Sequence, residues 1–463
     1  METLIRDAFE GVRFKPFWLD SEDAPVPENT YSGVKEVDLV IVGGGFTGLW
    51  AAIIAKETYP GWAVTLLESD RIASGASGRP GGIISTSVMH GLVNEARVFP
   101  EDIEILESLG QRNLDEFREA LERYGIDADL EWSGEMTVAV DPAHLADLRD
   151  EYDLHVEHGH DVQMLDADET RSQLNSPMFH GAMWSRNRSG IVHPAKLAWG
   201  LKRAALKLGV QICEYSKMTE LNERGHLMEV RTAKGSLFAP KVFLATNAWH
   251  AGRKDIKRRI IAVRDHVLAT QPLTLAQLSQ IGWAGRQGIY DTRTQLNYMR
   301  LTQDNRIIFG GSVSYHLNGN LHPECDGEPS TYYGLARAFF KTFPDLYDVK
   351  FSHAWGGPID YSMRYSVFFR KYFSQKVVYA GGYTGFGVAG SRFGAFMALG
   401  LLTKDSDPIY RLRIAQQPSG YIPPEPFRWI GAKITFAALA GVDEKGGWRT
   451  LWLKFVKLLG FPF

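Results

Sequence analysis

A chain of 463 residues has the length for roughly two or three domains, and with 44% hydrophobic and 23% charged residues it can fill an ordinary globular core. A formal net charge of -3 gives no bulk attraction to nucleic acid, so none is expected as a partner. Cys213 and Cys325 are the only cysteines and neither sits in a CxxC pair, so no disulfide framework is expected and a reducing, cytoplasmic setting is.

The first twenty residues mix charges and aromatics without a continuous apolar core, which is unlike a secretory signal. No apolar run reaches the length of about 18 residues that a membrane span needs. Residues 21–35, rich in Pro, Glu and Ser, read as an extended lead-in. Then Asp38-Leu-Val-Ile-Val42 suits a buried parallel strand, followed at once by Gly43-Gly-Gly45-Phe46-Thr47-Gly48 and a small-residue helix. Ala63-Val-Thr-Leu-Leu67 reads as a second strand ending at Glu68, which completes a βαβ unit.

In this spacing Gly43 permits the tight turn, Gly45 leaves room for a pyrophosphate, and Gly48 lets the helix pack closely on the sheet. Phe46 and Thr47 belong to that turn, and the helix that follows it faces the phosphates with free N–H groups and a positive dipole end. Glu68, with Ser69 beside it, stands where a carboxylate accepts hydrogen bonds from both ribose hydroxyls and repels a 2′-phosphate. The fingerprint alone fits FAD or NAD. The segment that follows, Ser74-Gly-Ala-Ser77-Gly78-Arg79-Pro80-Gly81-Gly82-Ile83, offers backbone N–H groups and small hydroxyls to surround an extended cofactor.

Beyond residue 100 the pattern changes to charged helices over 101–124 and 142–158 and to alternating strands over 134–140, 260–272, 287–300 and 305–313. Apolar strands return at Val242–Thr246 and Val377–Gly381. The expected fold class is α/β, a Rossmann-type nucleotide-binding domain built from the separated segments 36–92, 175–252 and 355–405, with an α+β substrate domain inserted from 93–174 and 253–354. Residues 406–463 form an extension. From Lys445 to Phe463 its bases and aromatics fall at helical spacing, which suits docking on the protein itself, on a partner or peripherally on a membrane surface.

The Ser74–Ile83 segment resembles the GASGRNGG stretch of FAD-dependent oxidoreductases of the D-amino acid oxidase and glycine/sarcosine oxidase superfamily, most closely the gamma-glutamylputrescine oxidase group. Further blocks in the order of that family are Gly190-Ile-Val-His-Pro194, Ala245-Thr246-Asn247-Ala-Trp249, Tyr298-Met-Arg300 with Phe309-Gly-Gly311, Trp355-Gly-Gly357 and Gly381-Gly382-Tyr-Thr384-Gly385-Phe386-Gly387. Met218 matches the apolar position that meets the adenine in relatives. The resemblance spans about residues 36–405 and implies FAD. Non-covalent binding is expected because Ser69–Gly82 holds no His or Cys. Two departures stand near the flavin ring, Pro80 where relatives often have Asn and Phe386 where they often have His.

Gly385-Phe-Gly387-Val-Ala-Gly390 is a second literal GxGxxG, but no second strand precedes its first distant acid, Asp407. The resemblance implies instead that this turn packs on the flavin and that a helix from about Phe393 points its N-terminus at the pyrimidine end. It also places Tyr298, Arg300, Trp355, Asp360 and Tyr361 around the flavin face. There Arg300 is expected to clamp a substrate carboxylate and Asp360 to attract a remote ammonium. His90 and His193 are read as packing residues more readily than as catalysts, and no metal-ligand spacing is present in the sequence.

The function implied is oxidation of a primary or secondary amine or amino acid, with the imine hydrolysed to a carbonyl and oxygen restoring the flavin with peroxide release. The alternatives are a flavin dehydrogenase that serves a quinone or protein carrier and a flavin-bound assembly subunit without catalysis.

Overall fold

The computed structural model describes residues 1–461, so the last two residues of the expected helix over 445–463, Pro462 and Phe463, lie outside the described residues. A six-stranded sheet takes Phe368–Tyr372, Val377–Gly381, Lys241–Leu244, Leu39–Val42, Val64–Leu67 and Gln211–Cys213 in that spatial order. All neighbours are parallel except the first pair. The unbroken apolar run of Leu39–Val42 follows from burial on both faces. Leu39 and Ile41 meet a helical layer that includes Phe46–Thr58 and Gly387–Thr403. Val40 and Val42 meet a four-stranded sheet made of Gly33–Glu36, Gly235–Ala239, Leu227–Thr232 and Glu220–Arg224.

The second body is an eight-stranded mixed sheet in the order Phe351–Ser362, Ile260–Thr270, Ile307–Ser314, Tyr298–Leu301, Gly288–Asp291, Glu135–Ala139, Gly181–Ser185 and Val162–Leu165. One face packs Met299, Leu301, Ile307 and Phe309 on Phe339 and Phe340 of the helix Tyr333–Thr342. Alternation along the strands turns Tyr290 and Tyr298, which are register partners, to the other face.

Several expected boundaries move. Gly181–Ser185 pairs with Glu135–Ala139, so the expected boundary at 175 comes before a strand of the second sheet, and the one at 355 falls inside Phe351–Ser362. The single strand expected over 287–300 is a hairpin, because the Asp291 carboxylate accepts the N–H groups of Arg293 and Asn297 and closes a turn. The helix expected from about Phe393 begins at Gly387, six residues earlier, against the helix Phe46–Thr58. Ahead of the expected lead-in over 21–35, Trp18 is fully buried and donates its indole N–H to the Pro80 carbonyl at 2.8 Å.

Candidate active site

Between the two sheets runs one cavity of about 1520 Å³, lined at one end by Glu68 and Met218 and at the other by Tyr298, Tyr361 and Phe386. Its first part is the glycine turn. Gly43 has φ +117°, and a Cβ there would fall 2.3 Å from the Ala245 carbonyl oxygen. Gly48 lies outside the cavity and serves packing, since a Cβ would fall 1.9 Å from the Gly43 carbonyl oxygen. Gly45, Phe46 and Thr47 line the cavity at the start of the helix Phe46–Thr58, whose N-cap Gly45 has no side chain to take the first N–H groups. The Ser77 hydroxyl accepts the Phe46 N–H at 2.9 Å, and the Thr47 hydroxyl donates to Tyr383 at 2.9 Å.

Glu68 accepts the Gly44 N–H at 2.6 Å on one oxygen, and the Ser69 hydroxyl at 2.9 Å and the Asp70 N–H at 2.8 Å on the other. Burial raises its pKa, opposed by the Asp70 and Gly44 N–H groups. Met218, Thr246, Asn247 and Trp249 line the same part, and the buried Thr246 hydroxyl has no protein partner among the described residues. A helix N-terminus with a glycine N-cap, a carboxylate at the end of the second strand and an orphaned hydroxyl on the wall fit a dinucleotide laid along the cavity. In that reading Glu68 would hold the ribose and the N-terminus of Phe46–Thr58 the pyrophosphate.

The segment that would meet the flavin ring is held from behind. Arg79, Gly81, Gly82 and Ile83 line the cavity, while Gly78 does not. Trp355 donates to the Arg79 carbonyl at 2.9 Å, Trp18 to that of Pro80, and the Val192 N–H to that of Gly82 at 2.8 Å. Arg79 reaches the carbonyls of Ser74 and Gly356 at 2.9 and 2.8 Å, and burial brings its pKa down to about 10.

Arg300, expected to clamp a substrate carboxylate, and Trp355, expected around the flavin face, are placed elsewhere. Arg300 does not line the cavity; it is fully buried behind Gly82, donates to the carbonyls of Val192 at 2.6 Å and Leu301 at 3.0 Å, and lies over the Trp18 ring. Trp355 is likewise outside the cavity. Both share the sheet side of Tyr298, but the 80–83 segment and the helix Pro194–Lys207 cover that end, so they brace the segment instead of meeting a substrate. His193 caps that helix by accepting the Lys196 N–H at 3.2 Å and packs on Trp18.

Thr384, Gly385, Phe386 and Gly387 line the cavity, and Gly382 lies just behind them. Asp360 takes the Gly382 N–H on one oxygen, while the other, though buried, has no protein partner among the described residues. Burial pushes its carboxyl up to about 7 against the pull of the turn's N–H groups. Phe386 packs on the His90 ring at 3.9 Å between centroids, and burial brings this imidazole down to about 4, so it is neutral at pH 7.

The sequence reading missed Asp265. Its carboxylate lines the cavity and accepts the Tyr298 hydroxyl at 2.7 Å, its only side-chain partner among the described residues. Tyr298 reaches it by lying across the intervening strand at Gly310, where a Cβ would fall 2.2 Å from the tyrosine Cζ. The neighbouring Arg264 does not neutralise Asp265, being spent on Asp326 and on the carbonyls of Leu321 and Gly356. Burial pushes the Asp265 carboxyl up to about 7, against the pull of Tyr298 and the His266 N–H. The signal in the sequence was Arg264-Asp265-His266, three polar residues in a row within a strand whose residues from 263 to 270 are all buried.

A family profile described as DAO, FAD dependent oxidoreductase, matches residues 38–398. The chain is 30% identical over 386 residues to a probable oxidoreductase OrdL of Haemophilus influenzae, covering 81% of this chain and 85% of that protein. It is 29% identical over 423 residues to the gamma-glutamylputrescine oxidoreductase of Escherichia coli, covering 90% and 96%. The crystal structure of glycine oxidase from Geobacillus kaustophilus superposes with a TM-score of 0.67 at 19% identity, covering 80% of this chain and 96% of that one, a likeness of fold.

Proposed function

The chain belongs to the DAO family of FAD-dependent oxidoreductases, and from that premise we propose that it oxidises a carbon–nitrogen bond in a primary or secondary amine or amino acid. FAD, held non-covalently, would take a hydride from the carbon that bears the nitrogen and pass the electrons to oxygen with peroxide release, leaving an imine that hydrolyses to a carbonyl. The observation that carries the amine reading is the Asp265 carboxylate, which lines the cavity and is paired with no cation among the described residues. An ammonium group entering there gains a charge-assisted hydrogen bond. A carboxyl with a pKa of about 7 is also matched to accept the proton that the amine must lose before its carbon is oxidised.

Tyr290, Tyr361, Tyr365 and Phe386 wall the same end, and an aromatic, poorly hydrated wall favours the neutral amine once that proton has moved to Asp265. Asp360 steadies the Gly382–Thr384 turn and offers its unpartnered oxygen to a second, remote cation. A quinone or protein carrier as acceptor is the second reading, favoured by an exposed apolar helical pair that borders the cavity. The test is incubation of the purified holoprotein with a panel of amines and amino acids, trapping the carbonyl product and measuring peroxide. Carbonyl with matching peroxide supports the oxidase, carbonyl without peroxide and only with added quinone the second reading, and no carbonyl from any amine an assembly subunit.

A further inference from the structure

The family match ends at residue 398, and beyond it two helices, Phe427–Leu439 and Trp448–Leu458, form a hairpin locked by the Trp452 indole N–H donating to the Thr435 hydroxyl at 3.0 Å. Its inner side is buried at Ala432, Ala438, Leu439 and Val456. Its outer side is not covered by any of the described residues. Trp448, Leu451, Phe455 and Leu458 recur at three- and four-residue steps and so form one stripe, with Leu451 70% and Leu458 87% exposed. Phe427, at the start of the first helix and so beside the end of the second, is 69% exposed. Soluble monomers seldom leave a stripe of this kind uncovered.

Charge distinguishes the occupants that such a face could take. Residues 426–461 hold six bases, Arg428, Lys433, Lys445, Arg449, Lys454 and Lys457, and two acids, Asp443 and Glu444. Both acids are spent on the protein body, Asp443 on the Thr294 N–H at 3.0 Å and Glu444 on Lys341 at 2.9 Å. Lys433, Lys454 and Lys457 are exposed and have no ion-pair partner among the described residues. A second copy would bring like charges together, whereas anionic headgroups complement them. Helices of 13 and 11 residues are too short to cross a hydrocarbon core of about 30 Å, and none among the described residues is long and apolar enough to span one.

We propose that this hairpin docks the protein on an anionic lipid surface, lying in the interface with its apolar stripe among the acyl chains and its lysines at the headgroups. Thr435, Trp452, Phe455 and Val456 of the same hairpin line the cavity that reaches Tyr298, so docking sets the mouth of that cavity at the lipid boundary. The inference goes beyond amine oxidation and does not depend on it.

The test is sedimentation of the holoprotein with vesicles of phosphatidylcholine alone and of phosphatidylcholine mixed with phosphatidylglycerol. The wild type should pellet with the mixed vesicles and be released by salt. The double variant Leu451→Asp/Leu458→Asp and the double variant Lys454→Glu/Lys457→Glu should each bind at least about tenfold more weakly while keeping wild-type flavin content and flavin reduction in solution. The lysine pair, on the solvent side, decides the matter if the leucine pair misfolds. Wild-type protein that stays in the supernatant, or variants that bind like the wild type, would overturn the proposal. So would a wild-type dimer that ignores vesicles and becomes a monomer in Leu451→Asp/Leu458→Asp, which assigns the face to a second copy.

Discussion

Replacing Asp265 by Asn removes the negative charge from the cavity while keeping an oxygen for the Tyr298 hydroxyl, so the local fold should persist. A hydrogen bond to a charged group contributes about 1.5–3 kcal/mol, which predicts a loss of roughly 10- to 150-fold in the efficiency of flavin reduction by an amine. The pH dependence gives a sharper sign. The Asp265 pKa is raised to about 7, so the carboxylate that receives the amine forms as pH rises through that value. About a tenth is ionised one unit below and about nine tenths one unit above. Reduction of the wild-type flavin should therefore climb between pH 6 and 8, and the Asn variant should lack this limb. Stability should move the other way. A raised folded pKa stabilises fully below the unfolded value and is lost as pH rises through about 7, so Asn should gain on the wild type over that window. The assay is anaerobic stopped-flow reduction across pH, with thermal melts alongside. An unchanged limb in Asp265→Asn refutes the assignment of Asp265 to the amine.

Gly45→Val should fold but purify nearly colourless, because the added carbons occupy the space before the helix N-terminus, where a Cβ already lies 2.8 Å from the Ser77 hydroxyl; normal flavin content would contradict the cradle. Gly387→Val meets only ordinary contacts in the protein, with Tyr383 at 3.5 Å, so it should fold and yet slow flavin reduction in stopped flow, whereas Phe386→His should chiefly change the flavin spectrum and reoxidation rate. Wild-type rates and spectra in both would leave that turn a purely structural role. Acid precipitation should leave the yellow colour in the supernatant, and colour held in the pellet would show a covalent flavin.

What could be read from the sequence was local. The run Leu39–Val42, the glycine spacing after it and Glu68 at the end of the next strand lie within thirty residues of one another, and each is fixed by its own stretch of backbone. The pairing of Asp265 with Tyr298 was not legible, because it depends on the register of three strands and on Gly310 leaving the middle one bare. Arg300 shows the same limit. Its strand and side could be anticipated from Tyr298 two residues away, but the segment that covers it comes from residues 80–83, far off in the chain. Trp18 was illegible for a related reason, since a tryptophan among the mixed charges and aromatics of the first twenty residues gives no hint that its N–H will hold the Pro80 carbonyl.

The central claim is that this cavity oxidises a carbon–nitrogen bond with FAD. Anaerobic titration of the purified yellow protein with amines and amino acids tests it most directly. The account predicts that at least one of them bleaches the flavin completely and that an equivalent of carbonyl product accompanies the bleaching. A flavin that stays oxidised with every amine, yet is reduced at once by dithionite, would contradict it.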